Sequence, residues 1–150
     1  MVGKLMLVGL GELGFHILQL LARTPRIGKI VATELDAKTG IAKVNNVITG
    51  AALQGYYPDI RAMELDISDM QRTAQVLEEV KPDVLINAAV MKSWWVYHGL
   101  PSDKYKRLHE AGLGPQTPFH LTLTLKLMQA VKKSGIHTQV VNCAYSDVVN

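Results

Sequence analysis

Short apolar runs and longer amphipathic stretches take turns along this chain, and their order predicts its elements. Residues 4–8, Lys-Leu-Met-Leu-Val, read as a short apolar strand. Residues 15–23 follow as a helix, with Leu13, Ile17, Leu20 and Leu21 spaced to make one face that packs on a sheet. The breaker cluster Thr24-Pro25-Arg26-Ile27-Gly28 leads to a second strand over 29–33. Residues 37–53 read as a helix whose apolar face is Ile41, Val44, Ile48 and Ala51. Gly40, Asn45, Asn46 and Gly50 are poor helix formers, so packing has to hold that helix. A turn at 55–58 precedes a third strand at 61–65. Ser68 and Gln71 fit a capping box for a helix over 69–80, with Met70, Ala74, Leu77 and Val80 inward. Lys81-Pro82-Asp83 stops it, and Val84-Leu85-Ile86 forms a fourth strand. Residues 118–133 make an amphipathic helix with Leu121, Leu125, Met128 and Ala130 or Val131 inward, ended by Ser134-Gly135. Residues 138–142 form a fifth strand, which the chain leaves through Cys143-Ala144-Tyr145-Ser146-Asp147.

Strands alternating with helices imply an α/β fold with a parallel sheet and right-handed crossovers. The first strand-to-helix junction adds chemistry. Gly9-Leu10-Gly11-Glu12-Leu13-Gly14 is a G-x-G-x-x-G sequence placed between a strand and a helix, the context that makes it a dinucleotide-binding fingerprint. Gly9 serves the sharp turn, Gly11 lets a pyrophosphate approach the main chain, and Gly14 lets helix and strand pack closely. The first helical amides, those of Glu12, Leu13 and Gly14, then point at the phosphates, and the helix dipole favours their charge. A tight turn that holds no ligand is the alternative. The expected architecture is a Rossmann-type doubly wound parallel sheet in three layers, spanning residues 1–150 as one dinucleotide-binding domain.

Glu34 stands twenty residues after Gly14, at the end of the second strand. An acid at that distance accepts hydrogen bonds from the adenosine ribose. Its charge repels a 2′-phosphate and no arginine adjoins it in sequence, so NAD is expected in preference to NADP. Asp36 is the rival for this role, or else the cap of the next helix. Asn87, Ala88 and Ala89 end the fourth strand, and small residues there let a flat ring cross the crevice at the sheet edge.

Residues 91–117 are long for a loop in a compact domain. They carry Trp94, Trp95, Tyr97, Tyr105, His98 and His109 together with Lys104, Lys106 and Arg107, too aromatic for a linker. Ser102 to Glu110 is expected to form a short helix. The stretch suits a lid over a substrate or a clip on the sheet edge or a partner subunit, and both readings stand. His120 is expected on the surface or facing the lid, and no catalytic residue is assigned.

The 48% apolar and 19% charged composition is that of an ordinary globular domain. No apolar run approaches the ~20 residues of a membrane span, and the scattered net charge of +3 does not suggest a nucleic-acid surface. A single cysteine, Cys143, excludes an internal disulfide and multi-cysteine metal sites; a buried structural thiol is expected, no metal, and a cytoplasmic setting.

The stretch from residue 29 to 52, with Glu34-Leu35-Asp36 and a long helix ending in Thr49-Gly50-Ala51-Ala52, resembles the lactate and malate dehydrogenases. So does the order of fourth strand, long loop, long helix and a strand ending in asparagine. The resemblance implies that 91–117 closes over a small 2-hydroxy acid, that Asn142 lies near the nicotinamide, and that the catalytic histidine belongs to a later domain. Residues 64–69 and 83–89 instead resemble the extended short-chain dehydrogenases and saccharopine-dehydrogenase-like proteins, which implies that Asp66, with Ile67 beside it, sits by the adenine. No tyrosine here has a lysine four residues later, unlike the short-chain enzymes. The expected function is the NAD-binding part of a longer oxidoreductase acting on a hydroxy or amino acid, without a complete catalytic site of its own. A nucleotide-sensing regulatory module and a short-chain-type reductase or epimerase are the alternatives. The expected partners are a small-molecule substrate and a second copy of the chain.

Overall fold

The computed structural model describes residues 2–112 and 114–143. Its centre is one parallel sheet of five strands: β1 (Val2–Val8), β2 (Ile27–Glu34), β3 (Asp59–Glu64), β4 (Val84–Asn87) and β5 (Gln139–Asn142), in the order β3-β2-β1-β4-β5. The chain winds outward from β1 to β3, then returns to the other side of β1 to add β4 and β5. The direction therefore reverses between β1 and β4, and a crevice opens at the carboxyl ends of those two strands.

The strands are apolar because helices cover both faces. Helices α1 (Glu12–Leu21) and α2 (Ala37–Ala52) bury Leu18, Val44, Val47 and Ala51 against Leu5, Leu7, Ile30, Ala32 and Ile86. Helices α3 (Met70–Val80) and α5 (Thr117–Ser134) bury Ala74, Val76, Leu77, Leu127 and Ala130 against Met6, Val8, Val31 and Leu85. Alternate strand residues thus feed opposite cores, the period-two rule of a pleated sheet. The expected three-layer α/β architecture is the one observed.

Several faces differ from the sequence reading. In α1, Leu13 and Leu20 are exposed and Gly14 and Leu18 are buried. In α2, Ile41 is exposed, while Gly40 and Val47 join Val44 and Ala51 inside. Thr73 and Val76 join the inner face of α3, and Met70 is only partly buried. Its N-cap is Asp69, whose carboxylate accepts from the Arg72 amide at 2.9 Å, so Ser68 and Gln71 form no capping box. In α5, Leu121 and Leu125 face out, and His120, Thr124 and Leu127 face in beside Ala130. Each of these helices carries apolar residues on more than one side, so the repeat alone does not choose the phase.

The described residues of 91–117 are folded. A 3-10 segment, Trp94–Gly99, leads into α4 (Ser102–Glu110), the short helix expected there. The Met91 amide donates to the Phe119 carbonyl at 3.1 Å, and Tyr97 meets Phe119 edge-on, so the segment starts and returns at the head of α5. None of the α4 residues is buried. Residues 144–150, read as leaving the fifth strand, lie outside the described residues.

The fold depends on close packing at the first turn. Gly9 has a φ of +86°, and a Cβ there would lie 2.9 Å from Ala89. A Cβ on Gly14 would overlap the Gly9 carbonyl oxygen and press on Ala88. Gly14→Ala is therefore expected to destabilise the fold by about 2 kcal/mol, as overpacking does, which lowers the melting temperature by roughly 6 °C in a chain of this size. An unchanged thermal unfolding curve would contradict this packing.

Candidate functional site

The crevice at the switch in strand order is a cleft of about 470 Å³. Its wall starts at the end of β1 with Val8, Gly9 and Gly11. The end of β2 adds Thr33, Glu34, Leu35 and Asp36, and the start of α2 adds Thr39 and Lys43. Leu65, Asp66 and Ile67 come from the turn after β3, and Ala88 and Ala89 from the turn after β4. A second cleft of about 440 Å³ lies across the same turn and shares Gly11, Ala88, Val90 and Ser93 with the first. Glu12, Leu13 and His16 of α1, Trp95, His120 and Cys143 complete it.

Nine of the twelve residues read from the sequence as cofactor-binding meet in these two clefts: Gly9, Gly11, Glu12, Leu13, Glu34, Asp66, Ile67, Ala88 and Ala89. The other three, Gly14, Asn87 and Asn142, line neither. Gly14 is buried beneath the turn. Asn87 is fully buried: its Nδ2 donates to Asn142 Oδ1 at 2.8 Å and to Thr124 Oγ1 at 3.1 Å, and its Oδ1 accepts from the Ala89 amide at 3.2 Å. This pair ties the ends of β4 and β5 to α5 and so fixes the turn that carries Ala88 and Ala89.

The first turn of α1 is open. The first amide of the following turn, that of Phe15, reaches the Gly11 carbonyl at 2.9 Å, and no side chain caps the helix at Gly11. By contrast α2 and α3, which follow β2 and β3, are both capped by aspartate. A Cβ built on Gly11 meets no atom within 4 Å, and Gly11 has an ordinary φ of −60°. Neither packing nor backbone conformation asks for glycine at this position.

On the acidic side of the cleft, Glu34 Oε1 accepts from the Leu35 amide at 2.9 Å, and its Oε2 lies 3.3 Å from Lys43 Nζ. Asp36 is the cap of α2, accepting from the Thr39 amide at 2.6 Å, while still lining the cleft. Asp66 Oδ1 accepts from the Ser68 amide at 2.8 Å, closing the turn after β3. Lys43 and the lining roles of Thr39, Ser93 and Leu123 carry no sequence signal, because each reaches the cleft through the fold and not through a motif.

His120 is buried and not on the surface, and of the two positions expected for it the one facing residues 91–117 fits, since it lines the second cleft with Ser93 and Trp95; burial holds its imidazole below the ordinary histidine value, so the ring is neutral at neutral pH. Cys143 is half-buried and lines the second cleft, where a buried structural thiol was expected; burial pushes its thiol up. Among the described residues no group of three or more side chains is placed to hold a metal ion, and no helix is long and apolar enough to cross a membrane.

The Thr39 amide holds the Asp36 carboxyl below the ordinary 3.8. Its stabilising contribution is complete above the unfolded aspartate value and disappears as pH falls through the lowered folded one. The gap in melting temperature between wild type and Asp36→Ala is therefore expected to hold from about pH 7 to about pH 5 and to close towards about pH 2. A gap independent of pH would show that Asp36 does not cap as a carboxylate.

No protein-family model and no curated protein sequence matches this chain. Solved structures do match in fold. The apo malate dehydrogenase from Picrophilus torridus superposes with a TM-score of 0.64 at 19% identity, over 95% of this chain and 38% of that one. The UDP-glucose 4-epimerase from Bifidobacterium longum, in complex with NAD+ and UDP, gives 0.60 at 16%, over 93% and 36%. The lactate dehydrogenase from Eimeria maxima, with NADH and oxamate, gives 0.58 at 16%, over 93% and 35%. This chain spans little more than a third of the length of each. At such identities the likeness is one of fold: the chain shares its doubly wound α/β architecture with the matched part of each of these proteins.

Proposed function

We propose that the chain binds NAD across the two clefts and serves as the cofactor-holding part of an oxidoreductase for a small hydroxy- or amino-acid substrate. Gly11 carries this reading. It is exposed and unstrained, with open space where a side chain would stand, and it begins a helix that no side chain caps. The fold does not require that glycine, but a ligand approaching the main chain would. The amides of the first turn of α1 would receive the pyrophosphate. Glu34 would accept from the adenosine ribose, Asp66 and Ile67 would lie by the adenine, and the second cleft would take the nicotinamide half.

The cofactor, when bound, supplies hydride chemistry. The chain's own residues supply position. Ala88 and Ala89 leave room beside the glycine turn, and the hydrogen-bonded pair Asn87 and Asn142 sets where that wall stands. His120, neutral at the edge of the second cleft, would face the substrate side. The preference for a hydroxy or amino acid rests on the likeness to the malate and lactate dehydrogenase folds together with the Glu34-Leu35-Asp36 stretch.

Titration with NADH, followed by nicotinamide fluorescence, tests the reading. Gly11→Ala is expected to weaken NADH about tenfold, near 1.4 kcal/mol, while leaving stability within about 0.5 kcal/mol, as for an ordinary surface substitution. Glu34→Ala is expected to weaken it as well. NADH that binds Gly11→Ala as well as wild type, or does not bind wild type at all, would overturn the proposal.

A further inference from the structure

On the reading that the cleft holds a nicotinamide dinucleotide, Lys43 stands where it bears on which dinucleotide binds. A Cβ on Gly40 would come within 3.1 Å of Glu34 Cβ, so α2 packs close against the end of β2. One turn further along the helix, Lys43 reaches back over that contact. Its Nζ donates to the Leu10 carbonyl at 2.5 Å and lies 3.3 Å from Glu34 Oε2. One ammonium therefore bridges the glycine turn and the acid at the end of β2. Both side chains are mostly covered, with 32% of Lys43 and 19% of Glu34 exposed, so water screens the pair only in part.

An acid at the end of the second strand selects the ribose diol in two ways. It accepts from the hydroxyls, and it repels a phosphate carried at the 2′ position. Here the second effect is offset. Seen from a few ångströms away, Glu34 and Lys43 together carry no net charge, while the carboxylate keeps acceptor capacity for a hydroxyl. An ammonium has three donors, and two are engaged with Leu10 and Glu34. The other charged side chains on the cleft wall are acids, and Lys126 lies outside it, its ammonium donating to the Ser68 carbonyl at 2.9 Å. Asp36 is held at the head of α2, Asp66 is folded into its own turn, and Glu64 is the register partner of Glu34 on β3. Lys43 is the cationic side chain that lines the cleft among them.

We propose that Lys43 sets the cleft's selectivity at the ribose 2′ position: its ammonium, paired with Glu34, cancels the repulsion of a 2′-phosphate, so that the chain accepts NADPH as well as NADH. NADH remains the preferred ligand because the acids on the cleft wall, Glu34, Asp36 and Asp66, outnumber its lysine. The role differs from that of a simple strap on the glycine turn. A strap holds the site for either dinucleotide, whereas a charge acts on the one that carries the extra phosphate.

The experiment measures dissociation constants for NADH and NADPH on the full chain, in wild type, Lys43→Gln and Lys43→Arg. Glutamine keeps a donor for the Leu10 carbonyl and removes the charge; arginine keeps the charge. Wild type is expected to bind both ligands. Lys43→Gln is expected to weaken NADPH roughly tenfold more than NADH, the scale of one partly screened charge, and Lys43→Arg to keep the wild-type ratio. Lys43→Gln weakening both ligands by the same factor, or wild type binding NADH with no measurable NADPH binding, overturns the proposal and leaves the NAD reading intact. Binding of neither ligand to wild type overturns both. If Lys43→Gln fails to fold because it leaves Glu34 unpaired, the change is read in a Glu34→Gln background: Glu34→Gln/Lys43→Gln is expected to favour NADPH about tenfold less than Glu34→Gln alone, and equal ratios in the two overturn the proposal.

Discussion

The contact between the first glycine turn and the end of β4 is the constraint on which the rest of this structure rests. Gly9 turns with a positive φ against Ala89, and Gly14 sits against the Gly9 carbonyl oxygen and Ala88. These contacts need the absence of side chains on one strand-turn-helix and small ones on the neighbouring strand. They bring the N-terminus of α1 to the edge of the sheet at the place where the winding direction reverses. The clefts and the open helix end follow from that placement. Glycine serves a packing purpose at positions 9 and 14, while at position 11 packing makes no such demand, and the difference separates what the fold needs from what a ligand would need.

The polar groups around the crevice divide in the same way. Asn87, Asn142 and Thr124 use one another's hydrogen bonds to join β4, β5 and α5 from inside. Asp69 is committed to its own helix. Glu34, Asp36 and Asp66 are also held by local bonds, and Lys43 by its bonds to Leu10 and Glu34, yet all four remain on the cleft wall. Side chains fixed before a ligand arrives lose less conformational freedom when it binds. The acidic side of the cleft is thus organised by the same short contacts that close its turns and cap its helix.

The architecture was legible in the sequence because strand, turn and helix signals agree along most of the chain. G-x-G-x-x-G between an apolar strand and a helix is a local pattern with a local cause, and the clefts gather most of the residues read from it and from the strand ends. Helix facing was less legible. The leucines at 121, 123, 125 and 127 in α5 spread round the helix, so the buried set of His120, Thr124, Leu127 and Ala130 appears only once α3 and the sheet are in place. Asn87 read as a wall of the site because it ends a strand, but the partner that turns it inward lies 55 residues away. Lys43 gave no signal for a similar reason: its meeting with Glu34 and Leu10 is made by tertiary packing and not by spacing.

Helix α4 buries none of its residues, and so contributes little to either core. Its opening free energy is decoupled from that of the sheet, in the sense that local unfolding there breaks few apolar contacts. A peptide bond within Ser102–Glu110 is accordingly exposed to proteolytic nicking. The flanks would stay in place after the cut, held by Tyr97 against Phe119 and by the backbone bond from Met91. Sequence change in this helix is therefore cheap in stability, since neither core depends on its side chains.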